Sequence, residues 1–264
     1  MIIDSHMHLG ISTGQYNYRV EIEKWLEIMD LLSIQYCLSS HGLALTNKEF
    51  AAGCADSVQA YHQSGGRILS YYLYDPRTPR LCLDVMDQYA DRKIFRGIKI
   101  HPAVHLTPAD DESYRPVWEY AGQHGLPILS HTWDLSATNP KQKFSYPPLF
   151  ESFVRQFPEV TLIMGHSGGR YQGIVEAVRL GRKYANVYYD IAGDIHINRL
   201  LEYLCGGVGA ERVLYGSDYT MMDPRTMLGA VLGADLPLAD KEKILCQNAR
   251  KLFKIDSGDE QNGN

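Results

Sequence analysis

Eight short apolar runs recur along the 264-residue chain, and between them lie stretches with helical spacing. That alternation limits the fold more than any other feature. The runs are MIIDSHMHLG, IQYCLSS, RILSYYLYD, RGIKIHP, LPILSHTW, VTLIMGHSGG, NVYYDIAG and RVLYGSDY. The segment EIEKWLEIMDLL has apolar residues at i, i+3 and i+4 spacing. TNKEFAAGCADSVQAYHQSGG has Thr46 and Glu49 at capping-box spacing, which predicts a helix opening on Thr46 and closing on glycine. TPADDESYRPVWEYAGQHG begins with acids and ends in His124-Gly125, as the helix dipole and a C-terminal cap prefer. The last run is followed by DPRTMLGAVLGA and an amphipathic LADKEKILCQNARKLFKI. Strands alternating with helices, with no linker and no change of composition, predict an α/β fold: a single (β/α)8 TIM barrel over residues 1–255. A doubly wound open sheet satisfies the same alternation, because alternation does not prove closure. The polar tail 256–264, DSGDEQNGN, is expected to be disordered.

Bulk properties narrow the class of function. The chain is 45% hydrophobic and 22% charged, with a net charge of -5 and no basic run, which argues against nucleic-acid or anionic-membrane partners. The five cysteines (Cys37, Cys54, Cys82, Cys205 and Cys246) are widely spaced and form no CxxC pair. Reduced thiols and a cytoplasmic location are expected from that pattern. No leader-like or membrane-spanning apolar stretch is found in the sequence.

The polar residues on the strands point to a site. Period-two alternation in IIDSHMHLG predicts Asp4, His6 and His8 on one face and Ile3, Met7 and Leu9 on the other. The same parity pairs Lys99 with His101 in GIKIH. His131 ends LPILSH, His166 ends LIMGH, and Asp218 ends LYGSD. Of ten histidines, six (His6, His8, His41, His101, His131 and His166) fall at the C-terminal ends of strands. In a barrel those ends meet on the face that carries active sites. Unpaired imidazoles and charges crowded together are costly, and a metal ion is the usual resolution. His62, His124 and His196 fall in helices or loops and are expected at the surface.

His6-x-His8, GIKIHP, LPILSHT, GHSGG, LYGSDY and the closing NARKLF together resemble the amidohydrolase superfamily, in its family 2 branch, along essentially the whole chain. The resemblance implies a (β/α)8 barrel with a divalent metal at the strand ends. His6, His8, His131 and Asp218 would be the metal ligands, and His166 a catalytic histidine or one that supports the ligands from behind. Such nitrogen and oxygen donors suit zinc, the expected ion, although manganese, iron or cobalt accept the same set. One ion is expected rather than two. In binuclear relatives a fourth-strand lysine is carboxylated, and Lys99 and His166 would then serve a second ion. The favoured reading keeps Lys99 as a catalytic cation for a substrate carboxylate or a developing oxyanion. A third reading is an inward lysine paired with Asp4, Asp190 or Asp218.

The loop TWDLSATNPKQKFSYPP after the fifth strand is long enough to serve as a lid. Trp133, Arg170 and Tyr171 follow the His131 and His166 strand ends and are candidate substrate contacts, as are His101 and His41. Gly165-His166-Ser167-Gly168-Gly169 also satisfies the GxSxG pattern of a serine hydrolase. After Ser167 the only histidine is His196, and that reading leaves His6, His8, His131 and Asp218 unexplained. The histidine is therefore taken as the chemical residue.

The leading function is hydrolysis of a small ester, lactone or amide by a metal-activated water, with Asp218 accepting its proton. The alternatives are non-oxidative decarboxylation of a small aromatic or unsaturated carboxylic acid, a metal-free lactonase, and a non-catalytic binding barrel. A small-molecule substrate is expected, with pairing into a homodimer through helices as a further expectation.

Overall fold

The computed structural model describes residues 1–12, 18–19 and 21–255, so the tail 256–264 lies outside the described residues. All eight apolar runs become strands of one sheet in chain order. They are β1 (Ile2–Leu9), β2 (Ile34–His41), β3 (Ile68–Leu73), β4 (Phe95–Ile100), β5 (Ile128–His131), β6 (Leu162–Gly165), β7 (Val187–Asp190) and β8 (Val213–Leu214). Every recorded ladder in this sheet is parallel, for example Leu129 opposite Ile163 and Val213 opposite Tyr189. The sheet closes where Ser5 donates to the Tyr215 carbonyl at 2.9 Å and Asp218 N–H donates to the His6 carbonyl at 2.8 Å. The fold is a (β/α)8 barrel, not an open sheet.

The strands carry apolar residues on both faces because both faces are covered. Ile3, Tyr36, Leu38, Leu69, Tyr71, Leu129, Ile163 and Leu214 form an interior layer, joined by Ala249, Phe253 and Ile255 from the chain's end. Outside the sheet, Met7 and Leu9 pack with Trp25 and Met29 of the helix Ile22–Leu31.

Ile3 therefore departs from the predicted alternation, in which it shares a face with Met7 and Leu9. The ladder from β1 to β2 shifts register between Asp4 and Met7. An extra residue reverses the parity there. Asp4 does not join His6 and His8 as a site group. Its Oδ1 accepts the N–H of His6 at 3.1 Å and of Ser217 at 2.9 Å, which serves the irregular backbone.

The helices mostly follow the sequence. Arg115–His124 ends on Gly125 in the left-handed conformation (φ 60), and Asp223 caps Pro224–Gly233 by accepting from Arg225 N–H at 2.9 Å. The predicted Thr46 cap is corrected. Thr46 lies inside a short helix, Gly42–Asn47, where its hydroxyl donates to the Gly42 carbonyl at 3.1 Å. The next helix, Phe50–Gln63, begins after Lys48 turns left-handed (φ 62). The closing amphipathic segment is three joined pieces, Leu238–Glu242, Lys243–Gln247 and Asn248–Leu252, with a π turn in the middle. Among the described residues no helix is long and apolar enough to cross a membrane. All five cysteines are free thiols.

Candidate active site

The C-terminal ends of the strands gather a buried polar floor. The irregular β1 delivers His6 and His8 inward. Their ligand atoms and that of Asp218 lie within 4.8 Å of one another. Asp218 stands beyond the short β8 with a left-handed φ of 60, and its backbone bond to His6 holds it against β1. His8 Nε2 is 2.9 Å from Asp218 Oδ1, and His6 Nε2 is 3.8 Å from the same oxygen. Burial acts to raise the Asp218 pKa, but the hydrogen bond from His8 and the surrounding imidazoles outweigh it and hold the group ionised well below the usual carboxylate range.

Lys99 of β4 is 1% exposed, and its Nζ lies 2.9 Å from His6 Nε2. Burial lowers its pKa to about 8, against the pull of Asp190 and Asp218, so it is an ammonium at neutral pH. Burial and the Lys99 charge lower the pKa of His6 to about 4, which keeps its ring neutral. The other ring nitrogen, Nδ1, is 2.8 Å from Oδ2 of Asp190 at the end of β7. Burial would raise the Asp190 pKa too, yet His6 and the His166 N–H lower it to about 2.

His166, the first residue after β6, takes a left-handed φ of 61, and its Nδ1 donates to the Ala192 carbonyl at 2.8 Å. Nε2 is left as the nitrogen free to exchange a proton. Gly193, with φ 91, allows this approach, since a Cβ there would stand 2.6 Å from His166 Nδ1. Ser167 is buried and donates to the Asp190 carbonyl at 2.6 Å. A structural hydroxyl bonded to backbone is not an activated nucleophile.

Above the floor stands an aromatic wall. His101 stacks on His131 with centroids 4.0 Å apart and planes at 10°, and Trp133 continues the stack 5.8 Å further at 3°. His166 meets His131 and Trp133 edge-on, at 66° and 69°. His131 is in neither group of converging ligand atoms among the described residues, and its Nε2 is 2.9 Å from Oε1 of Gln142. Burial and the neighbouring His166 hold His131 neutral, with its pKa well below the ordinary value. Gln142 comes from the long loop after β5, which is pinned by buried Ser145: its carbonyl accepts Trp133 N–H at 3.1 Å and its hydroxyl accepts Ala103 N–H at 3.0 Å. Gly169 (φ 82) lets the chain pass the Trp133 ring, where a Cβ would be 2.7 Å away.

The remaining sequence candidates lie outside the floor. His101 Nδ1 accepts Val104 N–H at 3.3 Å, capping the short turn after β4. His41 caps the helix Gly42–Asn47 through Nδ1, and its Nε2 bonds Asp56 at 3.1 Å, so both ring nitrogens are engaged away from the cluster. Arg170 pairs with Asp194 and lies 5.7 Å from the Trp133 ring centroid. Tyr171 is 79% exposed. His62, His124 and His196 are exposed, as expected.

Three contributors escaped the sequence reading. Asp190 was visible as the last residue of NVYYD, but only as one of several acids. Gln142 lies within the loop after β5, and Ser40, whose hydroxyl is 3.1 Å from His8 Nδ1, is the penultimate residue of β2; no motif marks either. A tenth histidine, His105, was also passed over. It is buried on the turn after β4, and its Nε2 has no hydrogen-bond partner among the described residues.

These features agree with the comparisons. The family model described as Amidohydrolase matches residues 3–255, and the chain belongs to that family. Among solved structures it resembles 2,6-dihydroxybenzoate decarboxylase from Rhizobium (TM-score 0.77, 15% identity, covering 97% of this chain and 99% of that one). It also resembles a dihydroxybenzoic acid decarboxylase from Polaromonas with bound manganese (TM-score 0.77, 14% identity, 99% of each chain). A putative 2-pyrone-4,6-dicarboxylic acid hydrolase from Pseudomonas putida is similar as well (TM-score 0.69, 18% identity, 99% of this chain and 98% of that one). No curated protein matches the chain.

Proposed function

We propose that this protein is a metal-dependent, non-oxidative decarboxylase of a small planar, aromatic or unsaturated carboxylic acid. The observation that carries the reading is the flat wall of His101, His131 and Trp133 standing over a buried cluster of imidazoles, carboxylates and one ammonium. A planar π system suits that wall, and a carboxylate suits Lys99. Two of the similar folds described above carry the name of a decarboxylase, which moves this reading ahead of the hydrolysis expected from the sequence.

The donor set fits a divalent ion: two imidazoles and one ionised carboxylate, buried and converging. An ion held by His6, His8 and Asp218 supplies Lewis-acid charge beside the substrate, and both zinc and manganese accept these donors. His131 completes the set once Gln142 releases its Nε2. The chain's own residues supply the rest. Lys99 holds the substrate carboxylate, the wall sets the plane of the ring, and His166 Nε2 passes a proton taken up from solvent to the carbon that bears the carboxylate. The carbon–carbon bond then breaks, its electrons return to the ring, and carbon dioxide leaves.

Hydrolysis is the second reading, and Asp218 favours it. A carboxylate held ionised between His8 and His6 is in the state that takes a proton from water.

The test is to strip the protein, reload it with manganese or zinc, and offer hydroxylated benzoic acids and unsaturated lactones. Carbon dioxide release that chelation abolishes is expected. Lactone opening without carbon dioxide overturns this reading in favour of hydrolysis, and activity that survives chelation overturns metal dependence.

A further inference from the structure

Among the described residues, two groups of buried side chains have the composition of an ion site, and both use His6. One is His6, His8 and Asp218; the other is His6, His166 and Asp190. The ring of His6 lies between them with a nitrogen toward each. Nε2 faces Lys99 at 2.9 Å and Nδ1 faces Asp190 Oδ2 at 2.8 Å. A carboxylate only accepts, so the ring proton sits on Nδ1 and Nε2 carries the lone pair that faces Lys99.

We propose that Asp190 is a positioning residue that fixes His6 as the Nδ1–H tautomer, so that the Nε2 lone pair, held by Lys99 in this structure, is open to one ion on the His8 and Asp218 side once Lys99 turns to the substrate. Its other oxygen, Oδ1, accepts the N–H groups of His166 at 2.8 Å and Ala192 at 3.0 Å. Three N–H donors thus converge on this carboxylate, which leaves it poorly suited to a cation. The group of His6, His166 and Asp190 is a hydrogen-bonded relay despite its ligand-like composition. The same carboxylate therefore sets the tautomer of one imidazole and the backbone position of another.

His8 shows the contrast. Its Nδ1 faces the Ser40 hydroxyl at 3.1 Å, and a hydroxyl turns to donate or accept. Either tautomer of His8 therefore finds a partner. His6 is already set.

The inference rests on the proposed ion site for its consequence, but the tautomer is measurable without any ion. In the metal-free protein, 15N NMR of the histidine rings, with His6 identified by its absence in His6→Asn, is expected to show a protonated Nδ1 and a bare Nε2. Asp190→Asn retains an oxygen for the His166 and Ala192 N–H groups and turns its NH2 toward His6. The ring proton then loses the acceptor that holds it on Nδ1, and zinc or manganese affinity is expected to fall ~10–100-fold, the scale for losing such a partner. The thermal midpoint of the metal-free variant should change little. A His6 proton on Nε2 in the wild type, two ions per chain at saturation, or wild-type metal affinity in Asp190→Asn would each overturn the proposal. If Asp190→Asn does not fold, the wild-type spectrum decides. If the wild type binds no ion, the metal reading fails while the tautomer still stands or falls on that spectrum.

Discussion

The floor of the site and its rim use the same kinds of residue under opposite conditions. On the floor, His6, Lys99 and Asp190 are at most 1% exposed, and each has a partner within 3 Å. On the rim, Tyr171 stands mostly in solvent, and the Arg170–Asp194 pair is half exposed. In the low-dielectric floor every proton has an assigned place, and losing a partner leaves a buried group unsatisfied. At the rim, water replaces whatever is removed, so exposed ion pairs contribute little. Location, more than residue type, sets what each side chain is worth.

The largest expected effect tests the floor directly. Asp218→Asn removes a ligand carboxylate and a proton acceptor together, and turnover of the metal-loaded enzyme should fall ~10²–10⁴-fold. A loss below tenfold in steady-state assays would place Asp218 with the rim residues.

His105 separates burial from metal binding, because it is buried outside the cluster. Burial lowers its pKa from 6.5 to about 4. Between those values the unfolded chain binds a proton that the folded chain refuses. The stability from the neutral ring is therefore complete above pH 6.5 and is lost as pH falls toward 4, by roughly 3 kcal/mol in all. Denaturant titrations from pH 7 to 4 should show this acid limb, and His105→Gln should remove its one-proton share while His6 and His131 keep theirs. An unchanged limb in that variant would assign the loss to other groups.

Gln142 sits at the boundary between the two regions. Gln142→Ala frees His131 Nε2 at the cost of one hydrogen bond, so divalent-ion binding should tighten about fivefold. Competition titration with a metal indicator measures this, and weaker binding would show that Gln142 supports the site. The smallest effect belongs to the rim. Arg170→Ala should change unfolding free energy by no more than about 0.5 kcal/mol. A larger loss would extend the behaviour of the floor outward.

Much of this was legible in the chain. The eight apolar runs are the eight strands, and HxH with the late aspartate marks the cluster. Period-two alternation correctly sends His6 and His8 inward, away from Met7 and Leu9. It misplaces Ile3 because the irregularity between Asp4 and Met7 depends on pairing with β2, which no local pattern encodes. Lys99 was recognisable as an inward cation, but its contact with His6 joins the fourth strand to the first. The Thr46 cap failed for a related reason: the backbone spent those residues on a separate turn of helix.

The sequence by itself determined the alternation of eight strands with helices and the histidines, lysine and aspartate at the strand ends, because strand periodicity and helix signals are local properties of neighbouring residues. Closure of the sheet into a barrel came from the tertiary structure. Only the tertiary structure decided which of those groups touch. It put Asp190 behind His6, Lys99 on its other nitrogen, and Gln142 over His131. Those contacts join residues separated in sequence by as many as 184 positions in the case of His6 and Asp190, and they exist only once the sheet has closed on itself.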